Sequence, residues 1–234
     1  MSPSRAFLGA FALAAVADLV FLAVGSDAGH TVAKPLLMPL LAAHAYVRGA
    51  PRLLLAALLF GWGGDVLLLS DAEPAFLAGM ASFAAGHVCY LVLFRRYGGF
   101  KRYGGFKGDG AARTAPRART ALLALAYATA LVTTVALLWP DLPADLRVPV
   151  AGYSALLTAM AFGAVTRFGL LAGLGGALFM LSDTLIATGV AEWPQPPRPD
   201  FWIMLTYAAA QLLLVRGTPT VVQTPPAPKA LVTN

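Results

Sequence analysis

The sequence predicts an all-α, polytopic membrane protein with eight transmembrane helices and both termini in the cytoplasm. Three observations support this prediction: the composition, the number of long apolar runs and the one-sided distribution of the basic residues. Of the 234 residues, 59% are hydrophobic and only 12% are charged, and the mean hydropathy is +0.72. Soluble domains carry about 25% charged residues. This chain therefore has too few polar residues to cover a surface in water, which places it in a membrane.

Eight apolar runs are candidates for the spans, because a hydrocarbon core of roughly 30 Å needs about 20 apolar residues per helix. They cover residues 6–24, 33–48, 52–70, 74–95, 119–139, 148–166, 169–190 and 200–216. The first has the position of a signal peptide, but it contains Asp18 and lacks a small-x-small cleavage site, so we interpret it as a span. The second contains Pro35, which is acceptable in a first turn, and Pro39. We expect Pro39 to kink the helix unless a neighbour satisfies the carbonyl that it leaves free.

The basic residues decide the orientation. If the amino terminus is cytoplasmic, every lysine and arginine except Lys34, Arg147 and Arg198 falls on the cytoplasmic side. The positive-inside rule then places both termini in the cytoplasm, and only an even number of spans produces this asymmetry. The net charge of +6 thus reflects orientation and lipid contact, and the sequence carries no nucleic-acid-binding motif. We expect a multi-pass protein of the cell membrane.

The chain is predicted to form one transmembrane domain, residues 1–217, and a proline-rich, disordered tail, residues 218–234. The basic cytoplasmic loop, residues 95–118, contains the tandem repeat RYGGFK-RYGGFK at residues 96–107. This repeat either lies on anionic headgroups or is a duplication without a role. Faint similarity between the first four and the last four spans leads to the hypothesis of a parallel 4+4 repeat. The sequence gives no indication of the oligomeric state.

Three carboxylates fall inside the apolar runs: Asp18, Asp65 and Asp183. An aspartate at the centre of a transmembrane helix costs about 2.5 to 3.5 kcal/mol, so each needs a partner, a wet cavity or a function. The three lie at similar depths in spans that run in the same direction, and Lys34 and Arg147 stand at the outer ends of spans 2 and 6. We therefore predict a polar chamber in the outer half of the membrane. Asp18, among alanines and leucines, is more simply explained as a contact between helices.

Polar and aromatic side chains at helical spacing extend this chamber. One stripe, in span 4, consists of Gly79, Phe83, Gly86 or His87, and Tyr90, and a second, in span 8, consists of Tyr207 and Gln211. These side chains can satisfy a carboxylate without neutralising it, although a structural histidine and core tyrosines are the simpler interpretation. The single cysteine, Cys89, excludes a disulfide framework, and the histidines lack metal-binding spacing, so we predict no metal or cofactor.

The order of these motifs along the chain resembles the YhhN family over most of residues 30–212. The matching segments are Lys34-Pro35-Leu36, Gly64-Asp65-Val66-Leu67-Leu68, Phe76…Gly79…Phe83…Gly86-His87…Tyr90, Ser182-Asp183-Thr184-Leu185 and Tyr207…Gln211. The characterised animal members are lysoplasmalogenases. The resemblance therefore implies a hydrolase that cleaves the vinyl ether bond of a lysoplasmalogen-like lysolipid to a fatty aldehyde and a glycerophospho-base, with Asp65 and Asp183 carrying the chemistry. The expected partners are this lysolipid and membrane lipids, and the expected substrate contacts are Lys34, His87, Tyr90, Arg147, Tyr207 and Gln211.

Vinyl ether hydrolysis starts with proton transfer to the β-carbon, and water then attacks the resulting oxocarbenium ion. Two carboxylates can divide these tasks, as in glycoside hydrolysis, with one held neutral and one charged. Lys34 close to one of them would identify the charged one. Two other classes of function stay open: a proton- or ion-coupled transporter of small molecules or lipids, and a non-catalytic lipid-binding or scaffold protein in which the acids serve packing.

Overall fold

The computed structural model describes residues 2–98 and 114–220, and these residues form eight α-helices, one for each predicted span. The helices are α1 (Pro3–Val24), α2 (Asp27–Val47), α3 (Arg52–Leu67), α4 (Glu73–Tyr97), α5 (Thr114–Leu138), α6 (Arg147–Gly163), α7 (Leu170–Val190) and α8 (Pro199–Gly217). The predicted all-α class is confirmed for the described residues. Most of the RYGGFK repeat and of the predicted disordered tail lies outside them.

The surface of the bundle is that of a membrane protein. Large apolar side chains point outwards, with exposed fractions of 72% for Leu13, 72% for Val148 and 75% for Leu170. Within the described residues, five helices are long and apolar enough to cross a membrane, namely α1, α4, α5, α6 with the turn that follows it, and α7. At 1.5 Å per residue, α3 is only about 24 Å long, shorter than the hydrocarbon core. The chain is therefore a multi-pass membrane protein, whereas eight spans and the 4+4 repeat stay predictions.

Seven of the described helices pack in a closed order around a common centre. The sequence neighbours α1 and α2, α3 and α4, and α7 and α8 form close helical hairpins. Helix α2 also packs on α3, α4 packs on α6, α6 packs on α7, and α8 returns to α1. Helix α5 lies outside this ring, against α6 and α7. The inward faces of the seven helices carry the buried core and the polar residues considered below.

The start of α2 differs from the prediction. The helix begins at Asp27, not at residue 33, because the Ser26 side chain accepts a hydrogen bond from the Gly29 N–H at 3.4 Å and caps the first turn. Gly25, in the left-handed conformation with φ of 76°, ends α1 immediately before this cap. Pro35 therefore lies inside the helix, and its expected place in a first turn is wrong.

Helix α2 also continues through Pro39, and the structure shows why. Residue 39 has no N–H to donate to the carbonyl of Pro35, four residues earlier. That carbonyl instead accepts a hydrogen bond from the indole Nε1 of Trp62 on α3, at 3.0 Å. The neighbour required by the sequence analysis is thus present, and the same bond fixes α2 against α3.

Helices α6 and α7, which carry part of the candidate site, are joined tightly. Helix α6 continues into a π-helical turn, Ala164–Phe168, and Gly169 is the single residue between this turn and α7. Gly169 has φ of 90° and ψ of −167°, a conformation that is essentially restricted to glycine. This connection holds the facing sides of α6 and α7 together.

Replacing Trp62 by Phe should lower the free energy of unfolding by about 1 kcal/mol, because the Pro35 carbonyl loses its donor in an apolar environment. In a Pro39→Ala background the restored N–H can serve this carbonyl, so the same replacement should cost clearly less. Unfolding of the two single variants and the double variant in detergent micelles gives the coupling energy. Equal costs in both backgrounds would contradict this role of Trp62.

Candidate functional site

Two carboxylates inside the bundle, Asp65 and the half-buried Asp183, each accept a hydrogen bond from a tyrosine on another helix. Asp65 on α3 is 2% exposed and accepts from the hydroxyl of Tyr207 on α8 at 2.8 Å. Asp183 on α7 accepts a short hydrogen bond from the hydroxyl of Tyr153 on α6. A carboxylate in an apolar bundle needs such donors, because leaving it unpaired costs several kcal/mol. Both predicted catalytic residues are therefore held in defined positions.

The hydrogen bonds continue beyond Tyr207. Gln211 donates from Nε2 to the Tyr207 hydroxyl at 3.4 Å, and Tyr90 donates to Gln211 Oε1 at 2.7 Å. All four residues of this network are at most 3% exposed. Four residues predicted for the site, on α3, α4 and α8, thus come together as one closed network that ends on Asp65.

A second network ends on Asp183. Because the Tyr153 hydroxyl donates its proton to Asp183, its oxygen is left to accept the Nε2–H of His87, which lies 3.1 Å away. This assignment leaves His87 Nδ1 as a bare acceptor, and Nδ1 is buried without a hydrogen-bond partner among the described residues. The order of donation, from His87 through Tyr153 to Asp183, increases the donor strength of the tyrosine towards the carboxylate.

An aromatic wall stands between the two networks. Phe179 meets Tyr207 edge to face at 5.4 Å between ring centroids, and on its other side it meets His87 at 4.9 Å. Phe83 packs against both Phe179 and Tyr207 in the same T-shaped manner. The wall therefore separates the two carboxylates, which reach each other through their charges and make no hydrogen bond.

The glycine that precedes Asp65 makes room for this wall. A Cβ atom added at Gly64 would overlap the ring of Phe83. The predicted stripe on α4 is confirmed, since Gly79, Phe83, His87 and Tyr90 are all buried on that helix. Small residues on α3 and aromatic residues on α4 are thus fitted to each other.

One of the two carboxylates, Asp183, lines a cavity. Asp183 lines an apolar pocket between α4, α5, α6 and α7 with an empty volume of about 800 Å³, its mouth included. Tyr153 lines the same pocket, together with Ser154 and Thr158. Asp65 lies behind the aromatic wall and does not line it. The single chamber predicted from the sequence is therefore divided into a pocket at Asp183 and a closed network at Asp65.

The remaining predicted residues lie at different distances from the carboxylates. Lys34 on α2 is half-buried and within range of direct charge interaction with Asp65, as are Asp18 and Asp183. Arg147 does not reach either network: its guanidinium donates to the backbone carbonyls of Leu142 and Pro140 at 3.1 and 3.2 Å.

Asp18 contacts a residue that the sequence analysis did not assign. Its carboxylate is fully buried and pairs with His30 Nδ1 at 2.7 Å, which joins α1 to α2 and agrees with a helix-to-helix contact. Tyr153 is a second site residue that the sequence pattern did not predict. Tyr153 is half-buried and shares a helix face with the buried Leu157 and Met160, but this spacing does not identify the partner of its hydroxyl. Over residues 2–98 and 114–220, no group of three or more His, Cys, Asp or Glu side chains is arranged to hold a metal ion.

Comparison with known proteins identifies the family. The model of the YhhN family matches residues 29–218, which include both carboxylates and both tyrosines. The chain belongs to the YhhN family. The resemblance found in the motifs is thereby confirmed over the whole set of residues that forms the candidate site.

Two curated relatives of this YhhN protein carry the name lysoplasmalogenase TMEM86B. The human protein is 34% identical over 166 residues, which are 71% of this chain and 63% of the relative. The pig protein is 33% identical over 158 residues, which are 68% of this chain and 59% of the relative. The matched region thus spans about three-fifths of the length of these relatives. No solved structure gives a significant match.

Replacing Tyr207 by Phe should destabilise the YhhN protein by about 1 to 3 kcal/mol, because the buried Asp65 carboxylate loses its donor while the packing of the ring is retained. Tyr46, which is 71% exposed at the end of α2, provides the matched control. Its replacement by Phe should change stability by less than about 0.5 kcal/mol. Unfolding in detergent micelles measures both, and equal effects would contradict a special role for the Tyr207 hydroxyl.

Proposed function

We propose that this YhhN protein is a membrane hydrolase that cleaves the vinyl ether bond of a lysoplasmalogen-like lysolipid. The observation that carries the proposal is the position of Asp183: a carboxylate with a tyrosine donor that lines a mainly apolar pocket. A lipid whose reactive bond joins a long chain to a polar headgroup fits such a pocket. The names of the curated relatives support the same reaction.

In this mechanism Asp183 is first the acid and then the base. Its Oδ2 accepts from Tyr153, so the proton of the neutral carboxyl group is carried by Oδ1. This proton moves to the β-carbon of the vinyl ether, and the ether oxygen shares its lone pair to form an oxocarbenium ion. Water adds to the carbon bound to oxygen and returns a proton to Asp183, as in the second half of glycoside hydrolysis. The hemiacetal then breaks its C–O bond, giving a fatty aldehyde and the free hydroxyl of the glycerophospho-base.

Asp65 is assigned the charged state in this proposal. Lys34 acts on it through its charge, whereas no cation among the described residues acts on Asp183 in this way. A fixed negative charge behind the aromatic wall favours the oxocarbenium ion, because charges interact over longer distances in a medium of low dielectric constant. Tyr207, Gln211 and Tyr90 hold this charge in place. Both aspartates then contribute, Asp183 by proton transfer and Asp65 by its field.

The proposed arrangement in the membrane follows the distribution of basic residues. The protein is placed in the cytoplasmic membrane with eight spans and both termini in the cytoplasm, as a transmembrane domain of residues 1–217 and a tail of residues 218–234. The loops around Arg147 and Arg198 then face outwards, and the Asp183 pocket lies in the outer leaflet. In this orientation Arg147 is the residue best placed to attract the lipid phosphate, and Lys34 serves Asp65.

Aldehyde release tests the proposed reaction. Purified protein is incubated with a lysoplasmalogen and with its saturated alkyl-ether analogue, which has no carbon that can accept the proton. We expect fatty aldehyde from the first lipid only, and a loss of about 100-fold or more in kcat for Asp183→Asn. Asp65→Asn should also lower kcat, by about tenfold or more, because one charge is removed from the site.

Asp18→Asn is the matched control, since Asp18 is also a buried intramembrane acid but pairs with His30. It should change stability, and it should lower kcat by clearly less than Asp65→Asn does. Full activity of Asp65→Asn would contradict the two-aspartate mechanism while leaving the hydrolase intact. Aldehyde from neither lipid would overturn the proposed function in favour of a carrier.

Replacing Tyr153 by Phe should lower kcat by about tenfold or more with little change in KM, because the donor to Asp183 is lost while the wall of the pocket is kept. The pH profile of kcat should shift as well, since this hydroxyl interacts differently with the neutral and the charged carboxyl group. Steady-state aldehyde assays across pH measure both effects. An unchanged profile would show that the hydroxyl serves packing alone.

A further inference from the structure

A second groove lies beside the Asp183 pocket, on the side of the bundle that faces lipid. It runs between α4 and α6, has an empty volume of about 530 Å³ with its open side included, and is lined by Leu77, Ala81, Ala84, Pro149, Gly152 and Leu156, among others. Among its described lining residues, Tyr153 carries the only side-chain oxygen or nitrogen atom. An apolar surface on the outside of a membrane protein is in contact with the hydrocarbon chains of the bilayer. A lipid chain is therefore the ligand that suits this groove.

Two side chains separate this groove from the Asp183 pocket. Met80 and Tyr153 line both spaces, and the hydroxyl of Tyr153 lies on the pocket side, bonded to Asp183. Methionine is flexible and adapts readily to a changing shape. The groove and the pocket are therefore adjacent, with a flexible side chain between them.

The other approach to the Asp183 pocket, from the end of the bundle with the α5–α6 and α7–α8 connections, is covered. Leu138, Leu142 and Leu146 are 1%, 4% and 8% exposed and form a cluster with residues at the outer end of the pocket. The cover is fastened by a hydrogen bond from Trp193 Nε1 to Asp141 at 2.8 Å, and by the two bonds that Arg147 makes to loop carbonyls. A long chain entering from this end would have to displace the cover.

We propose that the hydrocarbon chain of the lysolipid enters laterally from the bilayer, through the α4–α6 groove and between Met80 and Tyr153. This inference rests on the proposed function, for which it supplies the route of the substrate. Arg147 begins α6 at the outer end of the groove, and Tyr153 lies six residues later, about 9 Å along the axis at 1.5 Å per residue. A phosphate near Arg147 therefore leaves the vinyl ether, one glycerol unit away, close to Asp183.

Gly152 offers a way to close the groove without disturbing the fold. A Cβ atom added there meets no other atom within 4 Å, and the same holds for Gly9 on α1, outside the groove. Gly152→Phe fills the groove, whereas Gly9→Phe adds the same bulk to another lipid-facing helix. Both variants should fold, since both glycines are exposed and a Cβ atom at either position meets no neighbour.

Two measurements test the route. Gly152→Phe should lower kcat/KM for a long-chain lysoplasmalogen by about tenfold or more, with Gly9→Phe within about twofold of the wild type. The second measurement is photolabelling with a saturated ether lysolipid that carries a diazirine on its chain and is not hydrolysed. This lipid should label residues 77–84 and 149–156 in the wild type and in Gly9→Phe. This labelling should disappear in Gly152→Phe.

The outcomes separate the route from the reaction. Labelling of the wild type without any aldehyde release would contradict the proposed function and leave the lipid groove supported. Unchanged labelling and turnover in Gly152→Phe would overturn the lateral route. Cross-links between two copies of the chain at residues 77–84 and 149–156, in place of lipid labelling, would also overturn it, because a second copy would then occupy the groove.

Discussion

The centre of this protein depends on one constraint: a carboxylate buried among apolar helices must be given a hydrogen-bond donor. Tyr207 meets this need for Asp65, and Tyr153 meets it for Asp183. Each tyrosine comes from a different helix and is itself held by another polar side chain, so the two bonds tie α3 to α8 and α6 to α7. In the absence of a hydrophobic driving force inside a bilayer, such polar contacts between helices, together with close packing, give the bundle a defined arrangement.

Close approach of the helices is what allows these donors to reach the acids. A Cβ atom at Gly61 would lie 3.1 Å from the Tyr207 hydroxyl and 3.2 Å from Gln211 Nε2, tighter than ordinary packing. At Gly176 the same atom would come within 2.8 Å of the backbone of Ala161 on α6. The glycines near Asp65 and Asp183 thus act mainly on the distance between helices. Their position on the same helix face as the acids follows from this shared geometry.

The positions of the helices could be predicted from apolar length, and the inward stripe on α4 from helical spacing, since both are local properties. The need for a donor to the Pro35 carbonyl was also predictable, because proline lacks an N–H. Three features could not be predicted, because they depend on which helices become neighbours. They are the identity of that donor, the partner of Asp183 and the closure of Asp65 behind Phe83 and Phe179. Helix α2 begins six residues before the predicted start because Ser26 caps it. A single serine is a weaker sequence signal than the start of the apolar run, from which the prediction was made.

Helix α5 stands apart from the ring that holds the two acids. It supplies Ala130, Leu131 and Thr134 to one side of the Asp183 pocket, but none of its described side chains takes part in the hydrogen bonds that end on Asp65 or Asp183. A displacement of α5 therefore changes the width of the pocket and leaves the geometry of the acids intact. Helix α5 can thus adapt the pocket to substrates of different width. The other helices keep the two aspartates in a fixed alignment.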